Sequence, residues 1–381
     1  MANNKLHSWI RKIRMEWGFD SLAAISRLTA ISRTTAFSSI VALGSMLSSC
    51  NDLMHDDLPP CDMGVDLQFK YDYNVQRADM FNDHVGGVCV FVFDEQGNLV
   101  ARQDAANEGK SQPLKDPNYA MRIDLQPGKY RFATFAFQKK YEEALSQAGA
   151  KFHIEAPTAG ESIEKLRARL DRNAGKVENQ ALPLDTLWQG LSNETVEVKD
   201  LQITHHTISL IRDTKQLTIS LHQLDKPADI HAEDFSYQIT DANGYINYDN
   251  SLLPDEELTY TPYKTWTTEF TTPEGTVQER TAHAALMFSR LVLHPATENE
   301  KNAILSIWNK KTGEEVVRIN LADFLAQGRG AFEAMNYSAQ EFLDREYDYK
   351  LDFFLKGDKW QYVKLGISIL DWSKRIQRAD L

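Results

Sequence analysis

Positive charge is the first thing this sequence is short of. It sets 42 Lys and Arg against 54 Asp and Glu, a formal net charge of −12 over 381 residues. A surface of that sign repels phosphate, which argues against a nucleic-acid partner, and it offers no pull toward anionic lipid. Cysteine is scarce too. Only Cys50, Cys61 and Cys89 occur, so neither a C-x-x-C pair nor a four-cysteine zinc site can form. The G-x-S-x-G, P-loop and H-E-x-x-H spacings are missing, so the residues suggest no enzyme, cofactor or metal site. Adjacent His205 and His206 lie on an expected strand and so face opposite ways, a poor metal pair. The acidic groups at 56–57 and 255–257 lack the alternating oxygen ligands of a calcium loop and read as solvated charge. Trp188, Trp266, Trp308, Trp360 and Trp372 read as core or interface aromatics rather than a sugar-binding face. Long apolar runs are missing as well. The longest, residues 36–47, has about a dozen residues, against the roughly 20 that a membrane-spanning helix needs.

That short run is nevertheless informative. Upstream of it lie Lys5, Arg11, Lys12, Arg14, Arg27 and Arg33, and downstream comes Leu47-Ser48-Ser49-Cys50. A basic flank, an apolar core and small residues at a processing point make a secretory signal. The last four residues resemble the bacterial lipobox. That resemblance implies a signal peptide over residues 1–49, cleaved after Ser49. It also implies that the Cys50 thiol carries diacylglycerol and that the new amino group carries an acyl chain such as palmitate. Each buried methylene contributes about 0.8 kcal/mol, so several chains hold a protein stably on a membrane. The chain from Cys50 onward carries −16, because residues 1–49 hold six basic and two acidic residues. The lipid would therefore have to supply the membrane attachment.

Residues 50–62 read as a linker, kept solvated by Asp52, Asp56, Asp57 and Asp62 and stiffened by Pro59-Pro60. With Cys50 lipidated, Cys61 and Cys89 are left either as a disulfide or as two buried free thiols. A bridge closing that loop would contribute about 3–4 kcal/mol in the chain-entropy account.

From Val65 the pattern alternates: Val65, Leu67, Phe69, Tyr71 and Tyr73 on one face, Asp66, Gln68, Lys70 and Asp72 on the other. That is a strand with one buried face. Residues 88–93 form a nearly continuous apolar strand, joined through Gly97 to Leu99-Val100 as a hairpin. A second strand–turn–strand is expected over 121–125 and 130–137. Helical spacing is expected at 141–148 and 162–170, with strands again at 187–191 and 195–198, so a first β-sandwich domain spans 63–200. The second, 201–381, opens with alternation over 206–221. Residues 237–240 and 245–248 flank Asn243-Gly244, which reads as a type I′ hairpin. Further strands are expected near 260–267, 284–292, 303–308, 315–319, 347–354 and 360–370, with a short helix at 321–326. The expected class is all-β with minor helices.

Several of these blocks resemble one family. They are Cys61-Asp62-Met63-Gly64-Val65, Phe69-Lys70-Tyr71-Asp72-Tyr73-Asn74, Ala78-Asp79-Met80-Phe81 and Val88-Cys89-Val90-Phe91-Val92-Phe93-Asp94 with Gly97. Leu210-Ile211-Arg212-Asp213-Thr214 and Ile367-Ser368-Ile369-Leu370-Asp371-Trp372 complete the set. Together they are similar to the fimbrillin-associated anchor subunits of Bacteroidia. The resemblance implies two tandem transthyretin-like sandwiches and a lipoprotein of the outer membrane at the base of a fimbrium. It also implies fimbrillin partners, with roles in cell adhesion and in limiting fibre length. A subunit whose N-terminus is held in lipid can engage neighbours only with its far side. The strand carrying Val363, Leu365, Ile367 and Ile369 is accordingly a candidate contact or exchanged element, by strand addition to a neighbour's sheet. The alternative is a surface glycan-binding lipoprotein.

Overall fold

The computed structural model describes residues 63–369 and 372–379, with side chains to Gly366 other than that of Ala334. Cys50, Cys61, the signal and the linker lie outside the described residues, as do the side chains of Ile367, Ile369 and Trp372. The protein is mostly β with short helical connections, as its alternating patterns predict.

The first half contributes β1 (Gly64–Lys70), β2 (Gly87–Phe93), β3 (Leu99–Ala106), β4 (Met121–Ile123), β5 (Gly128–Phe137), β6 (Phe152–Glu155), β7 (Arg167–Leu170), β8 (Leu187–Leu191), β9 (Val196–Val198), β10 (Ile203–Ser209) and β11 (Ile211–Arg212). Strand β1 buries Val65, Leu67 and Phe69 and turns Gln68 and Lys70 to solvent. It sits at the centre of the sheet β10-β1-β4. That sheet lies on Val88, Val90, Val92, Phe132 and Trp188 of a second sheet, β11-β8-β5-β2-β3, in which β9 also pairs with β5. The other face of the second sheet carries Phe91, Phe93, Phe135 and Phe137 against Phe152, Ile163, Leu166 and Leu170. Strand β2 is thus covered on both sides, which is why its seven residues are all buried and read as one apolar run.

The second half contributes β12 (Lys215–Gln223), β13 (Phe235–Asp241), β14 (Tyr245–Asn247), β15 (Leu258–Tyr260), β16 (Lys264–Thr271), β17 (Val277–Phe288), β18 (Ile304–Asn309), β19 (Glu315–Asn320), β20 (Asp348–Lys356), β21 (Lys359–Ile369) and β22 (Trp372–Ala379). A six-stranded sheet, β16-β17-β12-β20-β21-β22, faces a four-stranded one, β15-β13-β18-β19. The helix Leu321–Ala326 falls on its expected residues, its first turn capped by Asn320, whose side chain accepts from the Asp323 amide.

Strand pairing departs from the sequence reading at four places. Residues 162–170 are a 3-10 turn, Ile163–Lys165, followed by β7, because Leu166, Ala168 and Leu170 alternate inward. Strands β4 and β5 do not form a hairpin: β4 pairs with β1 and β5 with β2 and β8, so Gln126-Pro127-Gly128 carries the chain from one sheet to the other. Strand β10, expected to open the second half, pairs with β1, and β11 pairs with β8. Asn243-Gly244 is no hairpin either. Strand β13 pairs with β15 and β18, whereas β14 pairs with β7 and completes the sheet β14-β7-β6. Through that exchange one hydrophobic core runs without a break from Phe91 of the first half to Leu351 of the second.

Candidate functional site

The segment Leu210-Ile211-Arg212-Asp213-Thr214-Lys215 leaves the first half and enters the second, and its charged residues are buried. Asp213, Thr214 and Lys215 have no exposed surface. Asp213 donates its amide to the Leu187 carbonyl at 2.9 Å, fixing the segment to β8. Gln216 donates to the Tyr347 carbonyl at 2.7 Å, fixing it to the start of β20. Lys215 Nζ donates to the carbonyls of Asp344 and Glu346, at 2.9 and 3.0 Å. The Arg212 guanidinium lies 4.2 Å from the centre of the Tyr347 ring and 5.7 Å from that of Trp188, and its Nε donates to the Thr214 carbonyl. Arg290 holds the Asp344 carboxylate with two bonds of 2.9 Å and also donates to the Asn250 carbonyl.

Cations and carboxylates alternate through this junction, as buried charges must. The Glu346 carboxylate accepts from the amides of Tyr347 and Asp348, yet burial pushes it up to about 7. Burial likewise raises Asp213 and lowers Lys215. The arrangement has no nucleophile–base pair. It joins the start of β12 to the start of β20 and to the end of the first half.

Asn243 is the second tie. Its Nδ2 donates to the carbonyls of Ser289 and Arg290, at 3.1 and 2.9 Å, and its Oδ1 accepts from Tyr260 Oη at 2.6 Å. The Gly244 carbonyl accepts from Leu170 of the first half. A Cβ on Gly244 would strike Leu258 and come within 2.9 Å of Arg172 Nη2. Arg172 in turn pairs with Asp255, both side chains being almost wholly buried. Asp255 is therefore structural, against its reading as solvated charge, while Glu256 beside it is half-exposed.

The other singled-out residues lie apart. Cys89 is buried on the Phe91 face of β2 and bridges no cysteine among the described residues; it lies 3.9 Å from Arg102 Nη2, and burial pushes its thiol up to about 12. Val363 and Leu365 are buried, and their strand β21 is paired on both edges, by β20 and β22. These two side chains fill their own core, and the side chains of Ile367 and Ile369 lie outside the described residues. One edge of the same sheet is β16, whose Phe270 is 63% exposed; the other is β22. His205 and His206 face opposite ways, His205 toward Asp66 and His206 over Phe132. Trp188 is buried, Trp266 stacks on His283 at 4.9 Å, and Trp360 packs edge-on against Phe353. A cleft of about 610 Å³ beside β10 is lined by Tyr73, Gln189, Leu191, His206, Tyr248 and Asn250 among others. No sequence signal marks it, because its walls come from strands and loops far apart in the chain.

Residues 58–378 match the family described as fimbrillin-A associated anchor proteins Mfa1 and Mfa2. The minor fimbrium anchoring subunit Mfa2 of Porphyromonas gingivalis is 23% identical over 282 residues, 72% of this chain and 75% of that protein. A solved candidate adhesin from Bacteroides thetaiotaomicron shares 29% identity at a TM-score of 0.69, covering 84% of this chain and 100% of that one. A second solved structure from the same organism, described as a candidate polysaccharide-binding protein, shares 29% identity at a TM-score of 0.63, covering 82% of this chain and 98% of that one. This chain belongs to the family of fimbrillin-A associated anchor proteins.

Proposed function

We propose that this protein is a fimbrial anchoring subunit, held in the outer membrane by lipid on Cys50 and binding the basal fimbrillin with its second half. The observation that carries the reading is the family match over residues 58–378, which begins eight residues after a lipobox-like cysteine. Both halves would be transthyretin-like sandwiches, and a tethered base would limit fibre length by occupying one end of the growing polymer. The β16 edge is the docking element that fits best. It is eight residues long, largely exposed and unpaired on its outer side among the described residues, and such an edge is a template for a partner strand. Labelling with an alkyne fatty acid, with electron microscopy of cells and medium, tests the anchor. Cys50→Ala loses the label and sheds fibres into the medium. Loss of label with fibres still on the cell would refute the anchoring role.

A second reading, glycan binding, draws on the polysaccharide-binding description of one relative and on the cleft beside β10, with its two tyrosines, amides and histidine. Trp266 is a poor sugar platform, because His283 stacks on its ring and the Lys264 ammonium lies 5.2 Å from the ring centre. Glycan-array binding that falls in Tyr248→Ala would favour this reading.

A further inference from the structure

We propose that the fold is a tension clamp: in the first half, the strand through which a pull enters is bonded in parallel to the strand at the exit, so the pull shears a whole ladder rather than unzipping it. The inference rests on the anchoring reading only for the direction of the pull, in at the N-terminal end and out through the second half.

Strand direction carries the argument. Strands β1 and β10 are parallel, with seven registered pairs from Gly64↔Ile203 to Lys70↔Ser209. A pull on the residues before Gly64 drags β1 toward its amino end. The covalent route out of the first half is the carboxyl end of β10, so the same pull drags β10 the opposite way. The bonds of the ladder lie across the strands, and sliding the strands apart therefore strains all seven pairs together. An antiparallel pair pulled at the same two chain ends would open one rung at a time. Beyond the ladder, Leu210 donates its amide to the Lys70 carbonyl at 2.8 Å, and Ser209 Oγ donates to Asp72 Oδ1 at 2.7 Å. Both bonds sit at the end where the pull leaves.

The second half repeats the device. Strand β12, which receives the pull at Lys215, is parallel to β20 over eight pairs, from Gln216↔Asp348 to Gln223↔Leu355. Strands β20, β21 and β22 are antiparallel in turn, so β22 runs in the same sense as β12. A pull applied at the carboxyl terminus is again a shear, whereas one taken off at β16 runs through β17 and bypasses this ladder. Between the two ladders lies the junction, where Asp213 is bonded to β8 and Lys215 to the carbonyls before β20. Life under load depends on the unfolding barrier, not on equilibrium stability, and shear geometry raises that barrier for one direction of pull.

Single-molecule force spectroscopy tests this on the chain from residue 50 with Cys50→Ala and Cys61→Ala. One handle is placed at the amino terminus and the other after Leu381. In the comparison, the first handle moves to Lys70→Cys, at the other end of β1, where Cys89 is too buried to compete for it. Then β1 and β10 are pulled from the same end and unzip. Rupture of the first half is recognised by the release of roughly 50 nm of chain, since an extended residue spans about 3.5 Å. The clamp predicts that this rupture needs the higher force with the terminal handle and loses that high-force event with the handle at residue 70. Equal forces in the two geometries overturn it. Urea midpoints of both handled proteins must agree, and if Lys70→Cys lowers the midpoint, Arg77→Cys in the following loop replaces it. No fibre enters the measurement, so failure of the clamp and failure of the anchoring reading, seen on Cys50→Ala cells, are distinguishable.

Discussion

The ammonium group of Lys215 donates to the main-chain carbonyl of Glu346 at 3.0 Å, across 131 residues of sequence and with neither side chain open to solvent. A neutral residue of similar length cannot make that bond. Lys215→Met is expected to leave two buried carbonyls without their donor and the Asp213 carboxyl with Arg290 as its remaining cation, at a cost of about 2–4 kcal/mol. Urea denaturation measures it, with exposed Lys226→Met as the control. A loss below about 0.5 kcal/mol, the usual range of surface substitutions, would mean that the junction relaxes freely.

Stability should depend on pH through Glu346 and Asp241. Burial pushes both up to about 7 in the folded protein. A carboxyl raised on folding favours the folded state while protonated. The contribution is therefore complete below the ordinary carboxylate range and fades as pH rises toward 7. The expected result is a midpoint higher at pH 5 than at pH 8, with Glu346→Gln or Asp241→Asn each flattening the difference. Each tenfold difference in proton affinity between the folded and unfolded chain contributes about 1.4 kcal/mol. A flat profile in the unsubstituted protein would show that both groups find charge partners when ionised.

Asn243 distinguishes an inter-sheet tie from a hairpin turn. In a type I′ turn glycine is welcome at that position. Here Asn243→Gly removes three buried hydrogen bonds, and the expected cost is about 2–4 kcal/mol. Thermal unfolding by circular dichroism would reveal it. A neutral outcome would favour the hairpin.

Cys89 should be inert in the folded chain. With burial pushing its thiol up to about 12, almost no thiolate exists at pH 8. Reaction with a thiol reagent is expected only once denaturant is added. If denaturant without reductant also gives no reaction on the Cys50→Ala protein, Cys61 and Cys89 are bridged. Two reactive thiols would leave both cysteines free.

Phe270→Lys separates docking from folding. The side chain is 63% exposed on β16, so stability should shift by no more than about 0.5 kcal/mol. If the β16 edge holds the fibre, cells carrying the variant shed fibres while keeping the lipid label. Retained fibres would move the docking site elsewhere.

Legibility followed the range of the interactions. Strand β1, the apolar run of β2, the hairpins β2–β3 and β18–β19 and the helix at Leu321 could be read locally, because period-two burial, glycine turns and an Asn cap act over a few residues. Partners could not. Gln126-Pro127-Gly128 and Asn243-Gly244 carry turn chemistry, but nothing local says whether the chain returns along the same sheet or crosses to another. Strand β7 looked helical because its apolar residues satisfy either period over so short a span.

By itself the sequence determined an all-β chain, acidic and poor in cysteine, with a short apolar run before Cys50 and blocks specific enough to name a family. The alternation of small windows and the identity of single residues carry that much. Tertiary structure alone decided that β10 lies parallel to β1, that β14 crosses to β7, and that Arg212, Asp213 and Lys215 are buried together. Pairing direction and the burial of charge are set by what arrives from a hundred residues away. A local pattern fixes which face of a strand is apolar, but not which neighbour covers it.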